Sequence, residues 1–273
     1  MRQVFVPAAD GTPVPMFVIE GQNAEGPRPT ILYGYGGFNV ALSPDYSASI
    51  VAWVERGGVY AVANLRGGSE YGEAWHRAGM RENKQNVFDD FAAAAEWLNT
   101  GGYSSPERLG ISGGSNGGLL VGAAITQRPE LFRAAVCSAP LLDMVRYERF
   151  GLGRTWNDEY GRADDPEELR WLLSYSPYHH VVPGTCYPAI LFTVFEGDTR
   201  VDPLHARKLC AALQHATSAG SDERPILIRR EQGVGHSSRA VSRTIELQVD
   251  VLGFLAAQLG LALPADRPTE RLA

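Results

Sequence analysis

Lysine is almost missing from this chain of 273 residues: Lys84 and Lys208 are the only two, and every other basic side chain is arginine. Neither lysine follows a glycine, which excludes a phosphate-cradling Walker loop, and Gly34-Tyr-Gly-Gly-Phe38 does not match G-x-G-x-x-G. Cysteine is equally sparse. Cys137, Cys186 and Cys210 are odd in number and without C-x-x-C spacing, which argues against a disulfide framework and for a reducing, cytoplasmic setting. Cys137 in an apolar strand-like run and Cys210 on an apolar helical stripe read as packing residues. No apolar run reaches the roughly 20 residues of a membrane span, and Met1-Arg-Gln-Val-Phe-Val6 lacks a secretory apolar core. Positive charge is not in excess either: the net charge is -6, so no nucleic-acid or membrane partner is expected. There is no H-E-x-x-H, and the adjacent His179 and His180 would face different ways, so neither a metal nor a cofactor is expected.

What remains is an ordinary globular composition, 44% hydrophobic and 21% charged, arranged in alternation. Gln3–Val6 and Val14–Glu20 flank the turn signal Asp10-Gly11 and read as a hairpin. Strand-like runs follow at Thr30–Tyr33, Val59–Asn64, Leu109–Ser112, Ala134–Ser138, Ala189–Phe195 and Pro225–Arg230. Helix-like segments lie between and after them, at Ala48–Glu55, Val87–Asn99, Asn116–Gln127, Pro203–Gln214 and Arg239–Leu259. In the second, Phe88, Phe91, Ala92, Ala95 and Leu98 share one face. Apolar strands separated by amphipathic helices predict a mostly parallel sheet of eight strands covered on both faces, the α/β-hydrolase arrangement. A long excursion between Ser138 and Ala189 carries its own helix, capped by Asp165-Pro166-Glu167-Glu168. One domain over 1–273 is expected, with 264–273 a frayed tail.

Gly113-Gly-Ser-Asn-Gly117 sits between a predicted strand and a predicted helix, the context of the G-x-S-x-G nucleophile elbow. The two flanking glycines leave room for a turn so tight that a Cβ would strike neighbouring backbone, and the following helix offers free N–H groups to a developing oxyanion. Such a serine needs a base, and a carboxylate to orient that base. In chain order serine, acid, histidine, His236 stands in a glycine loop just after the last strand, and Asp198 follows the strand Ala189–Phe195. Asp202 reads as a helix N-cap. His205 and His215, within a helical segment, read as surface residues. The expected catalytic set is Ser115, Asp198 and His236.

With these residues placed, the chain resembles the peptidase domain of the prolyl oligopeptidase family over nearly its whole length. The matching blocks are Tyr33–Phe38, Asn64–Gly72, Asn83–Phe91, Gly113–Gly118, Thr155–Tyr160, Gly197–Val201 and Gly235-His236. The resemblance implies a serine peptidase cleaving on the carboxyl side of proline through an acyl-enzyme. It implies Tyr35 and the backbone N–H of Asn116 as oxyanion donors, and Trp156 stacked on the proline ring with Phe38, Leu141, Tyr160 and Val201 as walls. Arg200 would hold the carbonyl one residue upstream of the scissile bond. Read alone, Trp156 is a core tryptophan and Arg200 a salt-bridge partner of Asp198 or Asp202. Arg66, Glu70, Asp89 and Asp90 read as structural ion-pair and capping residues.

The family's β-propeller has no counterpart in this chain, so the expectation is the peptidase domain alone. Its substrate would be a short proline-containing peptide or a small ester. Its uncovered active-site face would be apolar and open to self-association or to a propeller-bearing partner. The competing readings are a carboxylesterase on the same fold and a catalytically idle binding module.

Overall fold

The computed structural model describes residues 1–22, 26–236 and 239–262; the tail expected over 264–273 lies outside them. The eight strands are β1 (Arg2–Pro7), β2 (Pro13–Ile19), β3 (Thr30–Gly34), β4 (Val59–Ala63), β5 (Leu109–Gly114), β6 (Ala134–Ser138), β7 (Ala189–Phe195) and β8 (Ile226–Glu231). They form one sheet in the order β1-β2-β4-β3-β5-β6-β7-β8. β1 pairs antiparallel with β2, and β2 antiparallel with β4; every later pairing is parallel. The sheet is thus the α/β-hydrolase arrangement that the alternating sequence implies.

The helices are α1 (Ala48–Glu55), α2 (Glu73–Arg77), α3 (Gln85–Thr100), α4 (Asn116–Gln127), α5 (Asn157–Tyr160), α6 (Pro166–Tyr175), α7 (Leu204–Ala216) and α8 (Val241–Leu259). Alternate strand residues show how they cover the sheet. Leu32, Ala135, Cys137, Ile190 and Phe192 share a core with residues of α3, α4 and α7. Their chain neighbours Ile31, Ala134, Val136, Ala189 and Leu191 pack instead with Trp53 of α1 and with Leu255, Ala256 and Leu259 of α8. Two-sided burial explains why β7, Ala189-Ile-Leu-Phe-Thr-Val-Phe195, is buried at every position. α4 is buried from Asn116 to Thr126, as a central helix without charged residues should be.

Polar side chains, some of them buried, hold the loops and helix ends to this frame. The Arg66 guanidinium forks onto Asp90, with Nε 2.9 Å from Oδ2, and the Arg66 N–H reaches the same oxygen at 3.1 Å. Removing Arg66 would strand the buried Asp90 carboxylate, at a cost of about 3–5 kcal/mol. Glu70 accepts from Leu42 N–H and Asn64 Nδ2, both at 2.9 Å, while Asp89 accepts from Gln85 on the same helix. Asp165 caps α6 as expected, accepting from the N–H groups of Glu167 and Glu168. Among the described residues no helix is long and apolar enough to cross a membrane.

Candidate active site

Six parallel strands, β3 to β8, end at one edge of the sheet, and the candidate residues stand on segments leaving that edge. β5 passes into α4 through a single residue, Ser115, at φ 57° and ψ -117°. A serine at positive φ is strained by roughly 1–3 kcal/mol and persists only where its surroundings over-determine it. Here its N–H donates to Ser138 O at 2.8 Å, while its carbonyl accepts from the N–H groups of Gly118 and Leu119 at 2.9 and 3.2 Å. A Cβ at Gly113 would stand 2.3 Å from Gly117 O, and one at Gly117 would stand 2.7 Å from Gly34 O. Both contacts are with backbone, so the elbow closes only because these positions carry no side chain.

Asn116 opens α4, and among the described residues its N–H has no acceptor. Its amide Nδ2 donates to Tyr35 O at 2.6 Å, which fixes the residue directly after β3. Burial, reinforced by Tyr33, lifts the Tyr35 phenol above its ordinary pKa, although the nearby Arg200 guanidinium and Ser115 hydroxyl pull the other way. The phenol therefore stays a neutral O–H donor at neutral pH.

Asp198 follows β7 with its side chain almost wholly covered. Its Oδ1 accepts from the N–H groups of Arg200 and Val201 at 2.9 and 3.0 Å, and its Oδ2 lies 2.6 Å from His236 Nδ1. Burial alone would raise this carboxyl, but hydrogen bonds from His236, Val201 and Arg200 outweigh it and hold the group below its ordinary range. An ionised carboxylate only accepts, so Nδ1 carries the proton and Nε2 is left free as a base. Among the described residues no hydrogen bond joins His236 to the Ser115 hydroxyl.

The predicted pocket residues also gather. The Phe38 ring meets Trp156 edge-on at 6.3 Å and Tyr160 edge-on at 5.5 Å. Phe38 and Trp156 are partly exposed and pack against the core cluster to which the buried Tyr160, Leu141 and Val201 belong. The Arg200 guanidinium is exposed, and among the described residues it forms no ion pair with Asp198 or Asp202. Asp202 accepts from Leu204 N–H at 2.8 Å, as a capping residue should.

One expectation is overturned. His205 is not on the surface: it is 2% exposed, and its Nδ1 accepts from the N–H groups of Asp143 and Leu142 at 3.2 and 3.4 Å. Burial draws its pKa down to about 4, so it is a neutral structural acceptor at neutral pH. Cys137 and Cys210 are buried, as expected of packing residues. Three side chains beneath the site escaped the sequence reading: Lys84, Glu159 and His76. The local hints were that Lys84 and Glu159 each lie inside a block shared with the family, Asn83–Phe91 and Thr155–Tyr160.

The prolyl oligopeptidase family model matches residues 44–262. A prolyl endopeptidase from Elizabethkingia miricola is 44% identical over 264 residues, covering 95% of this chain and 37% of the relative. Prolyl oligopeptidase A of Galerina marginata is 39% identical over 264 residues, covering 95% of this chain and 36% of its own length. Among solved structures, one from a structural and mechanistic study of two prolyl endopeptidases superposes with a TM-score of 0.93 at 54% identity, covering 96% of this chain and 39% of that one. Prolyl oligopeptidase B of Galerina marginata, bound to a 35-residue hydrolysis and macrocyclization substrate, gives a TM-score of 0.91 at 38% identity over 96% of this chain and 37% of its own. The chain thus spans little more than a third of the length of these relatives.

Proposed function

This chain belongs to the prolyl oligopeptidase family, and from that premise we propose that it is a serine peptidase cleaving on the carboxyl side of proline through an acyl-enzyme. What supports the proposal is that Ser115 at positive φ, the 2.6 Å His236–Asp198 pair and the Phe38–Trp156 ring pair stand on segments leaving one sheet edge. Ser115 Oγ attacks the scissile carbonyl carbon while its proton passes to His236 Nε2. Asp198 keeps Nδ1 protonated and stabilises the imidazolium that forms. The oxygen of the tetrahedral intermediate takes hydrogen bonds from Tyr35 Oη and Asn116 N–H. His236 then returns the proton to the leaving amine, and water repeats the sequence to release the acid. The proline ring lies against Trp156 and Phe38, a fit of shape and apolar area that needs no charge. Arg200, without an acidic partner among the described residues, holds the carbonyl one residue upstream.

The substrate is a short proline-containing peptide, and three thiols outside any disulfide suit a reducing cytoplasm. Exposed Val40 and Leu152, close in sequence to Phe38 and Trp156, suit cover of this face by a second copy or a propeller-bearing chain. A fluorophosphonate probe tests the nucleophile: the protein should label, and Ser115→Ala should abolish both labelling and turnover. Comparing proline anilide, alanine anilide and a short acyl ester then tests the substrate class. A proline preference of about tenfold or more over alanine is expected from the pocket; ester turnover without anilide turnover would make the protein a carboxylesterase, and an unlabelled protein would be an idle module.

A further inference from the structure

The loop Tyr35–Phe38 carries the proposed oxyanion phenol at one end and a pocket ring at the other. Three of its backbone groups end on buried side chains. Tyr35 O accepts from Asn116 Nδ2 at 2.6 Å, Gly36 O accepts from Lys84 Nζ at 2.9 Å, and Phe38 N–H donates to Glu159 Oε1 at 3.1 Å. Glu159 Oε1 also accepts from Lys84 Nζ at 3.2 Å, while Oε2 lies 2.8 Å from His76 Nε2. Lys84 is 1% exposed and Glu159 5%.

A buried ion pair is a poor source of stability, since apolar residues of similar volume usually do as well or better. What this pair supplies is donors and an acceptor at fixed points on a loop that needs holding. Gly36, Phe38 and Asn39 all have positive φ, at 64°, 55° and 57°, which is costly for the two that are not glycine. A Cβ on Gly37 would stand 2.6 Å from Asn116 Nδ2 and 2.9 Å from Glu159 Oε1, so the side chains lie directly against the main chain. Glu159 also belongs to the turn that supplies the pocket. Trp156 precedes it, and Tyr160 follows it and donates to Asn116 Oδ1 at 2.8 Å.

We propose that Glu159, with Lys84 as its counterion, is a positioning residue that ties the proline pocket to the oxyanion hole through the backbone of Gly36–Phe38. The inference rests on the post-proline reading of the site. A ring seated against Trp156 and Phe38 bears on both ends of the Glu159 link, and the link ends at Tyr35. Fit in the pocket is then expressed in the rate of the chemical step and not only in binding, because small misplacements of catalytic groups cost rate steeply.

Two neutral pairs test this without stranding a charge. Lys84→Met with Glu159→Leu removes the clamp, whereas Lys84→Met with Glu159→Gln keeps an acceptor for Phe38 N–H. Each protein is titrated with fluorophosphonate, and kcat per titrated site is measured on proline and alanine anilides. The leucine pair should lose about 100-fold in kcat on the proline substrate, and its preference for proline over alanine should shrink. The glutamine pair should stay within about tenfold of the parent. Should the pairs fail to fold, Gly37→Ala presses on the clamp while leaving both charges in place, and the same loss per titrated site is expected. Parental kcat per site in the leucine pair or in Gly37→Ala overturns the inference, as does equal impairment of the two pairs. A parent protein that neither labels nor turns over sinks the peptidase reading itself, and the inference with it.

Discussion

Tyr35→Phe removes a single oxygen from the site. The ring enters from β3, and the carbonyl of the same residue is held by Asn116 Nδ2 at 2.6 Å, a bond that phenylalanine leaves untouched. The phenol is only half-buried, so stability should change by no more than about 0.5 kcal/mol. In the proposed transition state two donors meet the oxyanion, and the variant leaves only the Asn116 N–H. Losing one such donor costs about 2.7–4 kcal/mol, or roughly 10²–10³ in kcat, with KM little changed because the ground-state carbonyl gains less from the bond. Burial raises the phenol pKa, so the donor remains protonated across the neutral range and the deficit should be the same at pH 6 and pH 8. The assay is steady-state hydrolysis of a proline anilide, corrected by active-site titration, beside thermal unfolding. A kcat within about threefold of the parent, at unchanged melting temperature, would show that the oxyanion is stabilised elsewhere.

The remaining expectations concern specificity, the elbow and acid stability. Trp156→Ala should lower kcat/KM on a proline anilide by about 10–200-fold while barely affecting its alanine analogue; equal losses on both would remove Trp156 from the pocket. Gly113→Ala places a methyl 2.3 Å from Gly117 O, and the overpacking should cost about 1–3 kcal/mol in urea unfolding, whereas an unchanged midpoint would mean the elbow has slack. His205 has a folded pKa of about 4 against 6.5 for the free side chain, so on acidification the unfolded chain binds the proton first. Its contribution is complete above pH 6.5 and is lost as the pH falls towards 4, by about 3 kcal/mol. In His205→Gln that component of the pH dependence should vanish, and identical pH profiles of unfolding for the two proteins would refute it.

What could be read before any coordinates was local. The strands Ala134–Ser138 and Ala189–Phe195 and the helices Ala48–Glu55 and Asn116–Gln127 have the bounds their apolar patterns predict; for β6, β7 and α4 near-complete burial leaves no ambiguity about where polarity returns, whereas α1 buries only Trp53. The elbow was legible because its signature is local, two glycines flanking Ser115, although Gly117 also meets Gly34 O and Ser115 N–H meets Ser138 O from elsewhere in the chain. α2 and α5 were not legible: five and four residues are too few to show a period. His205 was misread because its partners are main-chain N–H groups more than sixty positions upstream, which no helical pattern reveals. Glu159, Lys84 and His76 stayed hidden for that reason too, being 75 and 83 positions apart in their pairings. A buried polar network is a property of topology, whereas a glycine turn is a property of its own residues.

The distribution of rigidity across the candidate residues follows the chemistry asked of them. Gly197 N–H donates to Val234 O at 3.0 Å and Glu196 N–H to Glu231 O at 3.0 Å, so the turn carrying Asp198 and the loop carrying His236 are joined through main chain. Ser115 is tied to a different neighbour, Ser138 at the end of β6. Acid and base therefore stay paired however the histidine stands towards the serine. The structure has the Asp198–His236 bond and lacks a Ser115–His236 bond, and the two bonds have different work to do. In the proposed mechanism the first must persist, since it fixes the tautomer and stabilises the imidazolium throughout. The second must break, since Nε2 has to face the serine proton in one step and the leaving amine in the next. A histidine locked onto Ser115 would gain in the first step and lose in the second, and fixing it to the acid instead keeps both proton transfers within reach.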